Sequence, residues 1–161
     1  MTSYYRVWLG QQSAFADECK SGSFIGVDYG IDQDLTNELP DRWQEFNEKF
    51  RPIWLDLHPG KSKISAGLSC SALHCVCKGI IQGDVVLCPD GHGSYMVGDI
   101  VGDYSYHPGL NLPHRRDVRW HPRSIRRDEM SRELQNSTGS IGTVANVTKH
   151  SEELQLLING D

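Results

Sequence analysis

The chain has 161 residues, of which 38% are hydrophobic and 23% are charged, and its formal net charge is −5. This length suits one domain that buries its own core, and no apolar run reaches the ~18 residues that cross a bilayer. The first ten residues lack the basic and apolar regions of a signal peptide. We therefore expect a single cytoplasmic domain over residues 1–161, with no membrane partner.

In the first half of the chain, the order of elements is predicted to be strand, helix, strand, helix. Tyr4–Gly10 is aromatic and β-branched and predicts a strand, after which Ser13 can cap a helix from Ala14 to Lys20. Apolar residues three and four apart predict a second helix over Pro40–Phe50.

Phe24–Gly30 predicts a short strand between these two helices. Its glycines, Gly26 and Gly30, bracket Val27, Asp28 and Tyr29. Glycine inside a strand marks either a close approach of another group or a β-bulge. The bracketed residues are therefore either the wall of a pocket or the corner of a sheet.

A loop containing Lys61 and Lys63 leads into a predicted helix that begins near Ser65 and ends at Gly79. Free amides at a helix N-terminus, next to two ammonium groups, favour a phosphate. The spacing is not that of a Walker motif, which argues against nucleoside triphosphate hydrolysis. Cys75 and Cys77 lie within this helix, where side chains two positions apart point ~200° apart and cannot chelate one ion. We expect no metal and no cofactor.

The following region predicts a β-hairpin, with Val85–Leu87 and Tyr95–Val101 joined by a turn at Asp90 and Gly91. Tyr104 and Tyr106 occupy alternate positions of a third strand, so both rings lie on one face. His114–Trp120 predicts a fourth, basic strand.

The last part of the chain predicts a helix at 128–134, a turn rich in serine, threonine and glycine at 137–142, a strand at 143–147 and a helix at 151–158. The turn offers amides and hydroxyls to an anion, although an ordinary solvated loop has the same composition.

Charge is distributed unevenly. Residues 1–50 hold nine acidic residues against four basic ones, whereas residues 107–132 hold seven arginines against three acidic residues. Local charge decides what a surface attracts beyond the Debye length of ~8–10 Å. The arginines either contact nucleic acid or pair with the acidic half of the chain.

Six stretches, taken together in order and spacing, resemble EVE-like modules of the PUA-like superfamily, which are related to YTH and SRA domains and are found at the N-terminus of modification-dependent restriction endonucleases. The stretches are YYRVWLG, FADECKSGSFIGVDYGIDQDL, KGIIQGDVVLCP, VGDIVGDYSYHPG, HRRDVRW and LQNSTGSIGTV. The resemblance implies an α+β fold with a small, curled antiparallel β-barrel flanked by helices. Where related modules have Gly-Trp after the second strand, this chain has Gly26-Val27-Asp28-Tyr29.

The resemblance also implies a non-catalytic module that flips a modified base out of double-stranded DNA into an aromatic pocket. Methylated or hydroxymethylated cytosine and N6-methyladenine are the expected bases, and a linked nuclease domain beyond Asp161 is the expected partner. The candidate pocket residues are Trp8, Val27, Asp28, Tyr29, Tyr104 and Tyr106. The candidate phosphate contacts are Lys61, Lys63, Ser65, Arg115, Arg116, Ser137, Thr138 and Ser140.

Two alternatives remain open. One is a YTH-like module that binds RNA. The other is a nucleotide hydrolase in which His92, His107 or His114 acts as the base.

Overall fold

The computed structural model describes residues 1–160, which form one seven-stranded sheet with helices on both faces. The strands are β1 (Tyr4–Val7), β2 (Phe24–Val27), β3 (Val85–Pro89), β4 (Ser94–Tyr106), β5 (His114–Trp120), β6 (Ile125–Arg126) and β7 (Val144–Asn146). The α-helices are α1 (Ala16–Gly22), α2 (Trp43–Leu57), α3 (Lys63–His74), α4 (Arg132–Thr138) and α5 (Ser151–Asn159). Shorter helical turns occur at Gln11–Ser13, Cys75–Gly79, Arg127–Glu129 and Thr148–His150.

The strands follow the order β2-β5-β4-β3-β1-β7, and β6 pairs with the beginning of β4. All pairs are antiparallel except β1 and β3, which run parallel with Tyr4 opposite Val85. This pair corrects the prediction of a purely antiparallel sheet. Parallel neighbours need a long crossover, and here α1, β2, α2 and α3 form the connection.

The combination of sheet and helices confirms the α+β class. Among the described residues no pairing joins β2 to β7, so the sheet is open and the barrel implied by the resemblance is not shown. Within residues 1–160, no helix has the length and apolar character needed to span a membrane.

Several predicted boundaries differ from the observed ones, and three of the differences change the description of an element. Tyr104 and Tyr106 belong to β4 itself, which continues past a register shift between Ile100 and Tyr104. Helix α2 runs through Pro52 to Leu57. A proline inside a helix removes one hydrogen bond and crowds the preceding turn, and burial of Trp54 against the core offsets this cost. The helix predicted at 128–134 is instead a single turn followed by α4.

The core consists of two clusters, one on each face of the sheet. In β3, Val86 and Cys88 face the cluster that contains residues of α1, α2 and α3. Val85 and Leu87 face the other cluster, which contains residues of α4 and α5. Both faces of β3 are therefore buried, which explains its uninterrupted apolar sequence.

Arg116 lies in the interior, and only 3% of its surface is exposed. Its Nε donates a hydrogen bond to the carbonyl of Gly102, and its Nη1 donates to the carbonyls of Val76 and Ile80. The side chain thus joins β5 to the irregular part of β4 and to the end of the helical turn after α3.

Arg115 is also buried, and its guanidinium donates to the carbonyls of Asn111 and Leu112. The guanidinium carbon lies 3.8 Å from the ring centroid of Phe24, a cation–π contact. These positions correct the prediction that Arg115 and Arg116 contact DNA phosphates, because the donors of both are directed at backbone carbonyls inside the protein.

We expect Arg116→Met to lower the free energy of unfolding by about 3 kcal/mol, since it leaves buried carbonyls without their donor. Arg119→Met is the matched control, because Arg119 is largely exposed and makes one surface ion pair with Asp99. The control should lose less than about 1 kcal/mol. Urea unfolding followed by circular dichroism measures both values, and equal losses would contradict a structural role for Arg116.

Candidate functional site

A pocket of about 280 Å³ lies where the end of β1, the end of β2 and the beginning of β7 come together. The Trp8 amide donates a hydrogen bond to the Thr143 carbonyl over 2.9 Å and so holds two of these segments together. The pocket is lined by Trp8, Gly10, Gln11, Val27, Asp28, Tyr29, Leu112 and Thr143. It is close to the lower end of the ~300–1,000 Å³ range of small-molecule pockets, which suits one heterocyclic ring.

Four of the six residues predicted for the pocket line it: Trp8, Val27, Asp28 and Tyr29. The rings of Trp8 and Tyr29 are half-buried, and Val27 is buried. Burial raises the pKa of Tyr29 from its ordinary value. Its hydroxyl, protonated at neutral pH like that of any tyrosine, can donate a hydrogen bond. The aromatic and apolar walls can enclose a flat ligand.

Asp28 adds a negative charge at the mouth of this pocket. One carboxylate oxygen, Oδ1, accepts a hydrogen bond from the Gly30 amide over 2.9 Å, which fixes the side chain. The other oxygen has no hydrogen-bond partner within residues 1–160, and the side chain is exposed. Asp28 can therefore accept a hydrogen bond from an amine of a ligand.

Sequence reasoning missed four pocket residues: Gly10, Gln11, Leu112 and Thr143. A Cβ added at Gly26 would lie 2.8 Å from the Leu112 carbonyl oxygen, so the glycine permits the close approach that brings Leu112 into the wall. Leu112 itself has φ of +48°, which is rare for a leucine. In the sequence, only Gly26 indicated a close approach, and no sequence pattern indicated that Leu112 is the residue that approaches it.

Arg6 supports the pocket from inside and was not predicted to have a role. It is fully buried, and its guanidinium donates to the carbonyls of Thr138, Ser140 and Gly142. The guanidinium carbon also lies 5.8 Å from the centroid of the Trp8 ring. Arg6 therefore fixes both the segment that leads to Thr143 and one side of the Trp8 indole.

Tyr104 and Tyr106 do not line this pocket, which corrects their predicted place in it. The Tyr104 hydroxyl accepts a hydrogen bond from the Leu35 amide and donates one to Nδ1 of His114 over 2.8 Å. Nε2 of His114 donates to the Ile31 carbonyl, and the Tyr106 ring packs on the imidazole with centroids 5.2 Å apart. These residues fasten the loop after β2 to the sheet.

Lys61, Lys63 and Ser65 lie at the beginning of α3, as predicted, and both lysines are exposed. The Ser62 side chain caps this helix by accepting from the Ser65 amide. The Lys61 amide bonds the His58 carbonyl, and a Cβ added at Gly30 would lie 3.2 Å from the His58 ring. The lysine loop is thus linked through His58 to the segment that carries Asp28 and Tyr29.

The predicted anion-binding turn has a different form. Ser137 and Thr138 belong to the last turn of α4, where the buried Thr138 hydroxyl donates to the Leu134 carbonyl. Thr138 is therefore not available to a phosphate, which corrects that prediction. The hydroxyl of Ser137 lies 2.8 Å from Nε2 of His150, and the exposed Ser140 donates to the Ser137 carbonyl.

The histidines of the hydrolase alternative differ in their environments. Both ring nitrogens of His114 are engaged, and burial lowers its pKa. Nε2 of His107 lies 2.9 Å from the Ser105 hydroxyl, with no carboxylate bonded to its other nitrogen among the described residues. In residues 1–160, no group of three or more histidine, cysteine or carboxylate side chains is arranged to hold a metal ion.

Residues 5–148 match the model of a family described as "Domain of unknown function (DUF8426)". The match includes every residue that lines the pocket and all strands of the sheet except for Tyr4. No curated protein matches the chain.

Arg6→Met is expected to loosen the segment that follows α4. Amide hydrogen exchange at Gly139 and Ser140 should accelerate by about tenfold, since each lost hydrogen bond to a carbonyl is worth ~1 kcal/mol or more. Arg132→Met, at an exposed position of α4, is the control. Unchanged exchange in the Arg6 variant would contradict its role in holding this segment.

Acid is expected to weaken the fold through His114. Burial lowers the pKa of His114 below its ordinary value of 6.5, so the unfolded chain binds more protons than the folded one in acid. The free energy of unfolding should therefore fall as the pH drops below about 6.5.

His114→Gln is the matched variant, because its amide can still donate to the Ile31 carbonyl but does not titrate. Urea unfolding between about pH 5.5 and 8, where ordinary histidines change charge, should show a shallower pH dependence for this variant. Parallel curves for the two proteins would rule out the buried neutral histidine as the cause.

Proposed function

Because the chain belongs to the DUF8426 family, whose description assigns no activity, we propose its function from the pocket: it binds a modified nucleobase flipped out of double-stranded DNA. The observation that carries this proposal is the convergence of Trp8, Val27, Asp28 and Tyr29 on one cavity of about 280 Å³. The module is non-catalytic, and it directs a linked nuclease domain to modified DNA.

The lining of the pocket matches the chemistry of an extruded base. Unstacking a base costs a few kcal/mol, which stacking on Trp8 or Tyr29 and hydrogen bonds to the Watson–Crick edge can offset. The free oxygen of Asp28 accepts from the exocyclic amine of cytosine or adenine, which thymine lacks. Val27 and Leu112 supply apolar surface for a methyl group, a contact worth about 1–3 kcal/mol.

The lysine loop provides the backbone contacts in this proposal. Lys61, Lys63 and Ser65 stand at the capped end of α3, next to the pocket segment through His58. The hydroxyls of Ser137 and Ser140 are candidates for a further phosphate on the other side. With a formal net charge of −5, the chain has weak general attraction for DNA, so the pocket contributes much of the affinity.

The proposed fold relationship is the EVE-like type of the PUA-like superfamily. In support, strands β1 and β2 and the segment before β7 converge around one cavity although β2 and β7 are at opposite ends of the sheet order. A curled sheet that brings its two ends together is the arrangement from which such barrels are built.

Fluorescence anisotropy with one short duplex tests the proposal. The duplex is prepared in four forms: unmodified, with 5-methylcytosine, with 5-hydroxymethylcytosine and with N6-methyladenine. Each form is titrated at two salt concentrations. We expect one modified duplex to bind about tenfold more tightly than the plain one. Lys61→Ala combined with Lys63→Ala should reduce the salt dependence by about 2 in log–log slope and leave the preference between bases unchanged.

Asp28→Asn and Asp56→Asn form a matched pair, because each removes one exposed carboxylate. General electrostatics predicts that both variants bind DNA slightly more tightly. The pocket predicts that Asp28→Asn alone loses about tenfold on the preferred modified duplex.

Equal binding of all four duplexes would overturn the proposal. Tighter binding of a single-stranded RNA that contains N6-methyladenine would replace it with the RNA-binding alternative. Release of product from DNA or nucleotides with magnesium or manganese would replace it with the hydrolase.

A further inference from the structure

A second cavity of about 480 Å³ lies at the other end of β2 and β5 from the base pocket. Its lining residues come from the end of α1, from β4 and β5, and from the loop before β6. They are Lys20, Ser23, Met96, Val118, Arg119, Trp120, His121, Pro122 and Ser124. We name this cavity the Trp120 groove.

The floor of the Trp120 groove is apolar and fixed in place. Val118 and Met96 are buried, and the Trp120 indole nitrogen donates to the Cys19 carbonyl over 3.0 Å. Trp120 stands opposite Gly98 on the neighbouring strand, and a Cβ at Gly98 would lie 2.8 Å from its ring. The indole therefore packs on backbone and offers a rigid aromatic surface, which costs little entropy on binding.

The rim of the groove is basic. Lys20, Arg119 and His121 line it, and no carboxylate is among its lining residues. Asp99 lies outside the lining and contacts both Arg119, over 2.8 Å, and His121, over 3.0 Å. Lys20 has no hydrogen bond or ion pair within residues 1–160, so its charge is available to an anion.

Two hydroxyls complete the rim. The side chains of Ser23 and Ser124 line the groove and have no hydrogen-bond partner within the described part of the chain. Ser23 has φ of +57°, in the left-handed region where glycine ends helices at lower cost. Left-handed backbone at a non-glycine residue is uncommon, and such residues are concentrated at functional sites.

We propose that the Trp120 groove binds a small molecule in which a planar ring is joined to a phosphate, the chemistry of a nucleoside monophosphate. The ring lies against Trp120 and the apolar floor, and the phosphate accepts hydrogen bonds from Lys20 and from the serine hydroxyls. The groove has the volume of a site for one such molecule. This site is separate from the base pocket and does not depend on DNA binding.

Isothermal titration calorimetry of the full chain with AMP and CMP tests the site, with adenosine, inorganic phosphate and phenyl phosphate as further ligands. Saturable binding of one nucleotide per chain is expected, and adenosine and inorganic phosphate should each bind at least about tenfold more weakly. Phenyl phosphate has a ring and a phosphate but no nucleoside. Its binding would support the ring-and-phosphate chemistry and show that the groove does not require a nucleotide.

Two variants keep the test independent of folding. Lys20→Gln should weaken nucleotide binding by about tenfold, while Lys149→Gln, which removes an exposed lysine outside both cavities, should leave it unchanged. Ser23→Gly should weaken binding by about threefold. It should also raise the thermal midpoint, because glycine relieves the left-handed backbone.

Asp28→Asn separates this site from the base pocket. If nucleotide binding falls in Asp28→Asn and not in Lys20→Gln, the ligand occupies the base pocket and the groove proposal is overturned. The groove proposal is also overturned if neither AMP nor CMP binds saturably at millimolar concentration. If the unsubstituted chain binds all four duplexes equally and still binds a nucleotide, the proposed function fails and the groove proposal stands.

Discussion

Three buried guanidinium groups hold the irregular segments of this protein against its sheet. Arg6 bonds the carbonyls of the segment from Thr138 to Gly142, Arg115 those of Asn111 and Leu112, and Arg116 those of Val76, Ile80 and Gly102. Carbonyls outside regular structure need donors when they are buried, and one arginine supplies up to five. The base pocket depends on two of these arginines, because Arg115 bonds the Leu112 carbonyl and Thr143 directly follows the segment that Arg6 fixes.

Burial of these arginines also reduces the positive charge that is exposed at the surface. The arginine-rich region between residues 107 and 132 is not a continuous basic face, since Arg115 and Arg116 are inside. Arg119, Arg123 and Arg126 pair with nearby carboxylates at the surface. Such pairs contribute little stability, but they reduce the positive charge that a phosphate would meet. Among the described basic groups without an ion pair, Arg132 lies in this region, whereas Lys20, Lys61 and Lys63 lie outside it.

Backbone strain is concentrated around the two cavities. The non-glycine residues with positive φ among those described are Gln12, Ser13, Ser23 and Leu112. Leu112 lines the base pocket, Gln12 and Ser13 follow its lining residue Gln11, and Ser23 lines the Trp120 groove. Since β2 is four residues long, the cavities at its two ends are separated by about 13 Å or more. Strain of this kind persists where surrounding structure over-determines it, and it often marks binding sites.

The sequence alone determined the α+β class and most of the strands and helices. Three signals depend on local chemistry: apolar runs such as that of β3, helical spacing such as that of the buried Phe46 and Phe50, and the turn at Asp90 and Gly91. From the pair of glycines, the sequence left Val27, Asp28 and Tyr29 as either a pocket wall or the corner of a sheet, and in the structure all three line one cavity.

Only the tertiary structure decided which residues meet across the sheet. In the structure β1 pairs with β3 in parallel, and Tyr104 bonds His114. Leu112 and Thr143 line the pocket, and Leu112 approaches the chain closely at Gly26. An arginine in a sequence is read as a surface charge, since burying one is costly unless carbonyls surround it. The carbonyls that Arg6 bonds lie up to 136 residues away along the chain, so no local sequence pattern predicts these contacts.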